Sequence, residues 1–141
     1  MDLSIKLENT TLYIRVATLI KSANGYLFEQ SKNGYIYTVG GKVQLNESSL
    51  EAAKREIKEE LDFEANNLKL KGVMENFYSN DEGSVHEICF IYEVEEMFTG
   101  ELPLGFVEVA STDIYNHDVR PKPIMDLVAN NSIDIKHIIV K

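Results

Sequence analysis

The segment GKVQLNESSLEAAKREIKEELDF, from Gly41 to Phe63, constrains the structure of this chain more than any other. Ser48 followed three positions later by Glu51 has the form of a capping box, which predicts a helix over residues 48–61. At about 100° per residue, Leu50, Ala53, Ile57 and Leu61 fall within roughly 80° of arc, a narrow apolar stripe that must face a core. Glu56, Glu59 and Glu60 share the adjoining arc with Ala52 alone, and Lys54 and Lys58 lie on the far side. A solvated helix face usually interleaves Glu with Lys so that spaced pairs support it. Three carboxylates without a lysine repel by a few tenths of a kcal/mol per pair in water, and by more when partly desolvated. A hard divalent cation held by carboxylate oxygens would offset that repulsion. Arg55, one turn before Glu59, can also orient that carboxylate. The geometry alone leaves two readings open, a metal site and an acidic surface patch.

On either side of this helix the chain is strand-like. Residues 11–22 are β-branched and apolar and predict a strand. Asn24-Gly25 and Asn33-Gly34 are hairpin signals, leading into Tyr26–Gln30 and Tyr35–Val39, and Gly40-Gly41 is expected to break the second of these strands. After the helix, strands are expected at 67–76 and 85–94 with a polar turn between them. An irregular stretch around Gly100, Pro103 and Gly105 follows, then a helix near 122–129 and a strand at 135–140. Runs of strands with two helices predict a mixed sheet carrying helices on its faces. No repeat, low-complexity tract or linker divides residues 1–141, so a single domain is expected.

The bulk properties exclude several classes of function. A net charge of −9 opposes binding to a nucleic-acid backbone, which calls for a basic face. It would also repel polyphosphates unless cations screened the acids, although acidic surfaces also serve solubility. The lone Cys89 has no partner for an internal disulfide, and the N-terminus lacks the layout of a signal peptide. No apolar run is long enough for a bilayer. A soluble, cytoplasmic protein without membrane or nucleic-acid partners is therefore expected.

Spacing adds a more specific signal. Gly41, five residues, Glu47, seven residues and then Arg55-Glu56-Ile57-Lys58-Glu59-Glu60-Leu61-Asp62-Phe63 resembles the Nudix box, G-x5-E-x7-R-E-U-x-E-E-x-G-U with U apolar. Six fixed residues at fixed spacing arise by chance in such a chain about once in 10⁵. Asp62 stands where the family has glycine, and Val39 where it has proline before the Gly pair. The resemblance implies the Nudix fold, an α/β/α sandwich around a central mixed β-sheet flanked by helices. It also implies Mg²⁺- or Mn²⁺-dependent hydrolysis of a nucleoside diphosphate linked to another moiety, in a family whose members are often homodimers. Carried over by position, Glu56, Glu59 and Glu60 are the metal-binding carboxylates. A carbonyl of Gly40 or Gly41 can add a backbone ligand, and Glu47 with Arg55 orients loop and helix. Glu56 is the expected general base, with Asp81, Glu82, Glu101 and Glu108 as alternatives from later loops.

The substrate side is less defined. Tyr35 and Tyr37 can stack on a base or pack as strand residues. Arg15 can reach a phosphate, and Glu87 can approach the metal cluster from the sheet or sit in a salt bridge. His117 reads as a surface histidine and Cys89 as buried and inert. Nucleotide sugars, dinucleoside polyphosphates and nucleoside triphosphates all stay open as substrates. The competing function is a catalytically silent Nudix-fold domain that binds nucleotides or regulates. Such domains usually lose box carboxylates, all of which this chain retains. An isopentenyl-diphosphate-type isomerase would need a cysteine near the start of the box, and Cys89 is elsewhere.

Overall fold

The computed structural model describes residues 1–130 and 132–141. The capping box forms as expected: the Ser48 hydroxyl accepts from the Glu51 amide while the Glu51 carboxylate accepts from the Ser48 amide, opening helix α1, Ser49–Leu61. The helix ends on Asp62 in the left-handed conformation (φ 50°, ψ 38°), the place where the family pattern has glycine. A salt bridge of 2.7 Å from Lys58 holds the Asp62 carboxylate.

Around α1 the strands are β1 (Ser4–Leu7), β2 (Thr10–Leu19), β3 (Lys21–Ser22), β4 (Gly25–Gln30), β5 (Ile36–Lys42), β6 (Leu68–Asn80), β7 (Gly83–Val94), β8 (Phe106–Val109) and β9 (Lys136–Val140). Helix α2, Ile124–Ala129, follows a 3₁₀ turn at Ser111–Asn116. The strands form one mixed sheet in the order β3-β4-β5-β2-β7-β6-β9, with β1 also on β2 and β8 on β4. The β2–β7 and β6–β9 pairs are parallel and the others antiparallel.

Alternation along β2 shows the two layers. Val16 and Ile20 face α1, meeting Ala52 and Ala53 in one cluster and Ile57 and Leu61 in another. Ala17 and Leu19 point the other way, to Ile114 of the 3₁₀ turn and to Ile124, Leu127 and Val128 of α2. The sheet therefore carries helices on both faces, the α/β/α arrangement. No helix among the described residues is long and apolar enough to cross a membrane.

Several local expectations change. The Gly40-Gly41 pair does not break its strand, because β5 runs through both residues and pairs them with Ala17 and Val16. Small residues are required there by close approach: a side chain on Gly40 would strike the Val16 carbonyl. The predicted 11–22 strand divides at Ile20, whose side chain is in the core and whose carbonyl accepts from the Leu27 amide at 2.9 Å. The first hairpin turns at Ala23-Asn24, and Gly25 opens β4 where the Val109 backbone presses against it. At the second hairpin Gly34 does supply the positive φ of 89°. On α1, Leu50 lies exposed while Ala52, assigned to the acidic arc, is fully buried. The helix is thus rolled toward its acidic side, which brings that arc closer to the sheet. Strand β8 and the 3₁₀ turn fall where irregular chain was expected.

Candidate active site

The site is built around Arg55. Its Nε donates to Glu47 Oε2 at 2.7 Å and its Nη2 to Glu47 Oε1 at 2.9 Å, a bidentate pair. Nη2 also donates to the Lys42 carbonyl at 3.1 Å, and Nη1 to Glu56 Oε1 at 3.0 Å with longer reaches of 3.4 Å to Glu59. The Gln44 amide donates to Glu47 at 3.0 Å. One guanidinium thus ties the end of β5 and the following loop to the helix. Burial and these contacts have electrostatic consequences. The hydrogen bond from Arg55 holds the Glu47 carboxyl below its usual range, and hydrogen bonding to Glu47 raises Arg55 further.

Glu56 is only 12% exposed at its side chain. Burial raises its pKa, the Arg55 hydrogen bond opposes that, and Glu59 and Glu60 add repulsion. Its carboxylate occupies the space over Gly41 that any larger residue would fill. Glu59 and Glu60 are exposed on the same side of α1. As the side chains stand, no three acids or histidines among the described residues converge as a ready metal-ligand set. The Glu56 carboxylate is turned onto Arg55. The donor chemistry nevertheless suits a hard cation, being carboxylate oxygen throughout.

A fourth carboxylate belongs here that the sequence reading missed. Glu29 on β4 pairs with Tyr37 on β5 and lies on the side of β4 that carries Leu27, which packs with Ile57 and Leu61. Burial first, then the charges of Glu60 and Glu56, push its pKa up to about 7, and Arg15 opposes the shift. The signal was present in Tyr26-Leu27-Phe28-Glu29-Gln30: an acid sharing strand parity with a core leucine. What it faces, however, depends on α1 packing over β4, which no local pattern encodes.

The expected substrate residues separate into two groups. Arg15 and Glu87 form an ion pair at 3.1 Å, and Asn76 Nδ2 donates to the same Glu87 carboxylate at 3.0 Å. Glu87 is 7% exposed, so it stands with Arg15 and Asn76 and not with the helix acids. Arg15 shares the side of β2 that carries Ala17 and Leu19, and its charge lowers the pKa of both Glu29 and Tyr37. Tyr37 is the strand partner of Glu29; burial raises its hydroxyl, and Glu29, Tyr35 and Glu60 add to that. Tyr35 follows at a ring separation of 6.1 Å.

The later acids do not join the cluster as it stands. Glu108 accepts from Ser22 and from the Asn24 amide, holding the β3–β4 turn, and Asp81 and Glu82 lie exposed at the tip of the β6–β7 hairpin. His117 pairs with Asp113 at the surface. Cys89 is buried, and desolvation pushes its thiol up to about 12.

A mixed sheet between helices thus carries a Gly-flanked acidic helix tied to its loop by one arginine. Residues 14–125 match the NUDIX domain model, and the chain belongs to that family. Its fold is shared by solved structures. The MutT protein of Bacillus halodurans is 18% identical over 89% of this chain and 86% of its own, with a TM-score of 0.72. The MutT protein of Methanosarcina mazei Go1 is 22% identical over 88% and 94%, with a TM-score of 0.65. The C. elegans Ap4A hydrolase is 17% identical over 84% and 94%, with a TM-score of 0.60. Among curated protein sequences none matches the chain.

Proposed function

We propose that this chain, as a single domain over residues 1–141, is a Mg²⁺- or Mn²⁺-dependent pyrophosphohydrolase. It would cleave the diphosphate linkage of a nucleoside diphosphate joined to a further group. The observation that carries this reading is the placement of Glu56, seated over Gly41, flanked by Glu59 and Glu60, and fixed by the Arg55–Glu47 pair.

Glu56, Glu59 and Glu60 would hold the cation, with a carbonyl of Gly40 or Gly41 beside them. The ion, when bound, supplies charge neutralisation of the diphosphate and polarises the attacked phosphorus. Glu56 then acts as general base, taking a proton from water as the water oxygen bonds to phosphorus and the bridging P–O bond breaks toward the leaving phosphate. Arg55 keeps Glu56 and the Glu47 loop in one arrangement. Arg15, anchored by Glu87, is available to a phosphate oxygen, and Tyr37 and Tyr35 offer faces for a base. The setting taken for this activity is the reducing cytoplasm, with a small nucleotide as partner and self-association as a homodimer.

The test is a hydrolysis screen of nucleotide sugars, dinucleoside polyphosphates and nucleoside triphosphates with Mg²⁺ or Mn²⁺, comparing the wild type with Glu56→Gln and Glu59→Gln. Turnover by the wild type and a loss of about 10²–10⁴-fold in kcat for Glu56→Gln are expected. A protein that turns over none of these substrates, or Gln variants that match it, would leave a silent nucleotide-binding domain instead.

A further inference from the structure

Helix α1 covers only part of its side of the sheet. Phe90 on β7 packs with Val16, Ala52 and Ala53, and Ile88 and His86 follow on the same side of that strand. Strand pairing extends these positions into two rows. One runs from Ile5 through Leu12 and His86 to Phe77, the other from Ile14 through Ile88 and Glu75 to Ile139. Together they cross β1, β2, β7, β6 and β9. Ile5 and Ile139 are exposed, and Leu12, Ile14, Ile88 and Phe77 are only half-buried. A sheet face left to water normally alternates to polar side chains, whereas six of these eight positions are apolar. His86 adds to the dry character: its ring lies 4.4 Å from that of Phe77, and its Nε2 is shut off from solvent with no hydrogen-bond partner among the described residues.

Area and charge both bear on what covers this face. Five strands about 4.8 Å apart, with some six residues at about 3.4 Å each, give roughly 24 by 20 Å, or about 500 Å² in projection. Side-chain relief raises that toward the about 800 Å² that each partner buries in a dimer of standard size. The chain carries 23 acids and a net charge of −9, so most faces of two copies would set carboxylate against carboxylate. In these rows Glu75 is the one acid, and it shares a hydrogen bond of 2.7 Å with His137 Nε2, while Lys141 Nζ lies 4.9 Å over the Phe77 ring. A face that holds both an acid and its basic partner can mate with its own copy about a two-fold axis. A lipid surface would instead call for a basic rim, which an acidic chain does not offer. We propose that this face joins two copies of the chain, sheet against sheet. The inference gives the homodimer named above a surface and stands independently of the hydrolase reading. Glu56 sits over Gly41 of β5, across β2 from β7, so a second copy here leaves the acidic site open.

The experiment is sedimentation velocity between about 1 and 100 μM protein, for the wild type, Ile5→Glu, Ile139→Glu and Leu104→Glu. The wild type should shift with concentration from the 16.0 kDa chain to a species of twice that mass. Ile5 and Ile139 lie at opposite edges of the face and are exposed, so either variant should fold with Tm within a few degrees of the wild type. Each sets a carboxylate from both copies into the interface and should weaken association about tenfold or more. Leu104, fully exposed in the loop before β8, should tolerate the same change without loss of dimer. A wild type that stays monomeric throughout, whether or not it binds phosphatidylcholine vesicles, would overturn the proposal. So would a dimer that Ile5→Glu and Ile139→Glu leave intact, or one that Leu104→Glu weakens equally. Wild-type turnover is read separately: a monomer that hydrolyses nucleotides contradicts the surface alone, and a dimer that hydrolyses none contradicts the hydrolase reading alone.

Discussion

Gly41 gives a sharp separation of function from stability. A methyl group there meets the carboxylate of Glu56, the far end of a flexible side chain, so the fold can yield while the base is displaced. Gly41→Ala should lower kcat at least tenfold while Tm moves by only a few degrees, measured by steady-state hydrolysis beside thermal melts. Glu29 makes a second case. Its folded pKa of about 7 lies above the ordinary carboxylate value of 4.5. Between those values the folded protein keeps a proton that the unfolded chain has released, so stability falls as pH rises through that window. Glu29→Gln should therefore match the wild type in Tm near pH 4.5 and exceed it above pH 7, in melts run with EDTA. A difference that stays constant with pH would remove Glu29 from the acidic site. The box carboxylates could be read from sequence because their spacing is local. Glu29 could not, because the acids it meets lie on α1, which reaches β4 only through packing on the sheet.

Among the elements, α1 matters most, because it carries the acids and its ends fix their position. Ser48→Ala removes one side of the capping box and should cost about 1 kcal/mol, read as a fall of several degrees in Tm. Asp62 sits at φ 50°, a conformation that glycine adopts without strain. Asp62→Gly should therefore raise Tm by about 2–4 °C with activity unchanged, even though the exposed Lys58 contact is lost. A lowered Tm would show that the ion pair outweighs the backbone strain. The helix itself was legible from its cap and periodicity, whereas its roll was not. An idealised wheel made Leu50 part of the buried stripe and Ala52 part of the acidic arc, and packing against Val16 and Tyr92 reversed both. Likewise Gly40-Gly41 reads locally as a break, yet the pair continues β5 because the neighbouring backbone and Glu56 need the space.

In the molecule as a whole, the two clusters flanking β2 show why the layer order followed from pattern: alternating apolar residues in central strands need cover on both faces. The β8 strand and the 3₁₀ turn escaped notice because four- and six-residue segments carry too little periodicity to register. Cys89 lies in the core beneath α2 with its thiol pushed up to about 12, so it should resist thiol reagents in the native protein and react on unfolding. A cation at the α1 face would offset part of the chain's surplus of acid, −9 overall. The decisive measurement is Mn²⁺ binding followed by electron paramagnetic resonance, with nucleotide present, for the wild type and Glu56→Gln. The acidic face of α1 as a hydrolytic metal site predicts wild-type binding that weakens at least tenfold in the variant. Equal binding by both proteins, or none by either, would contradict it.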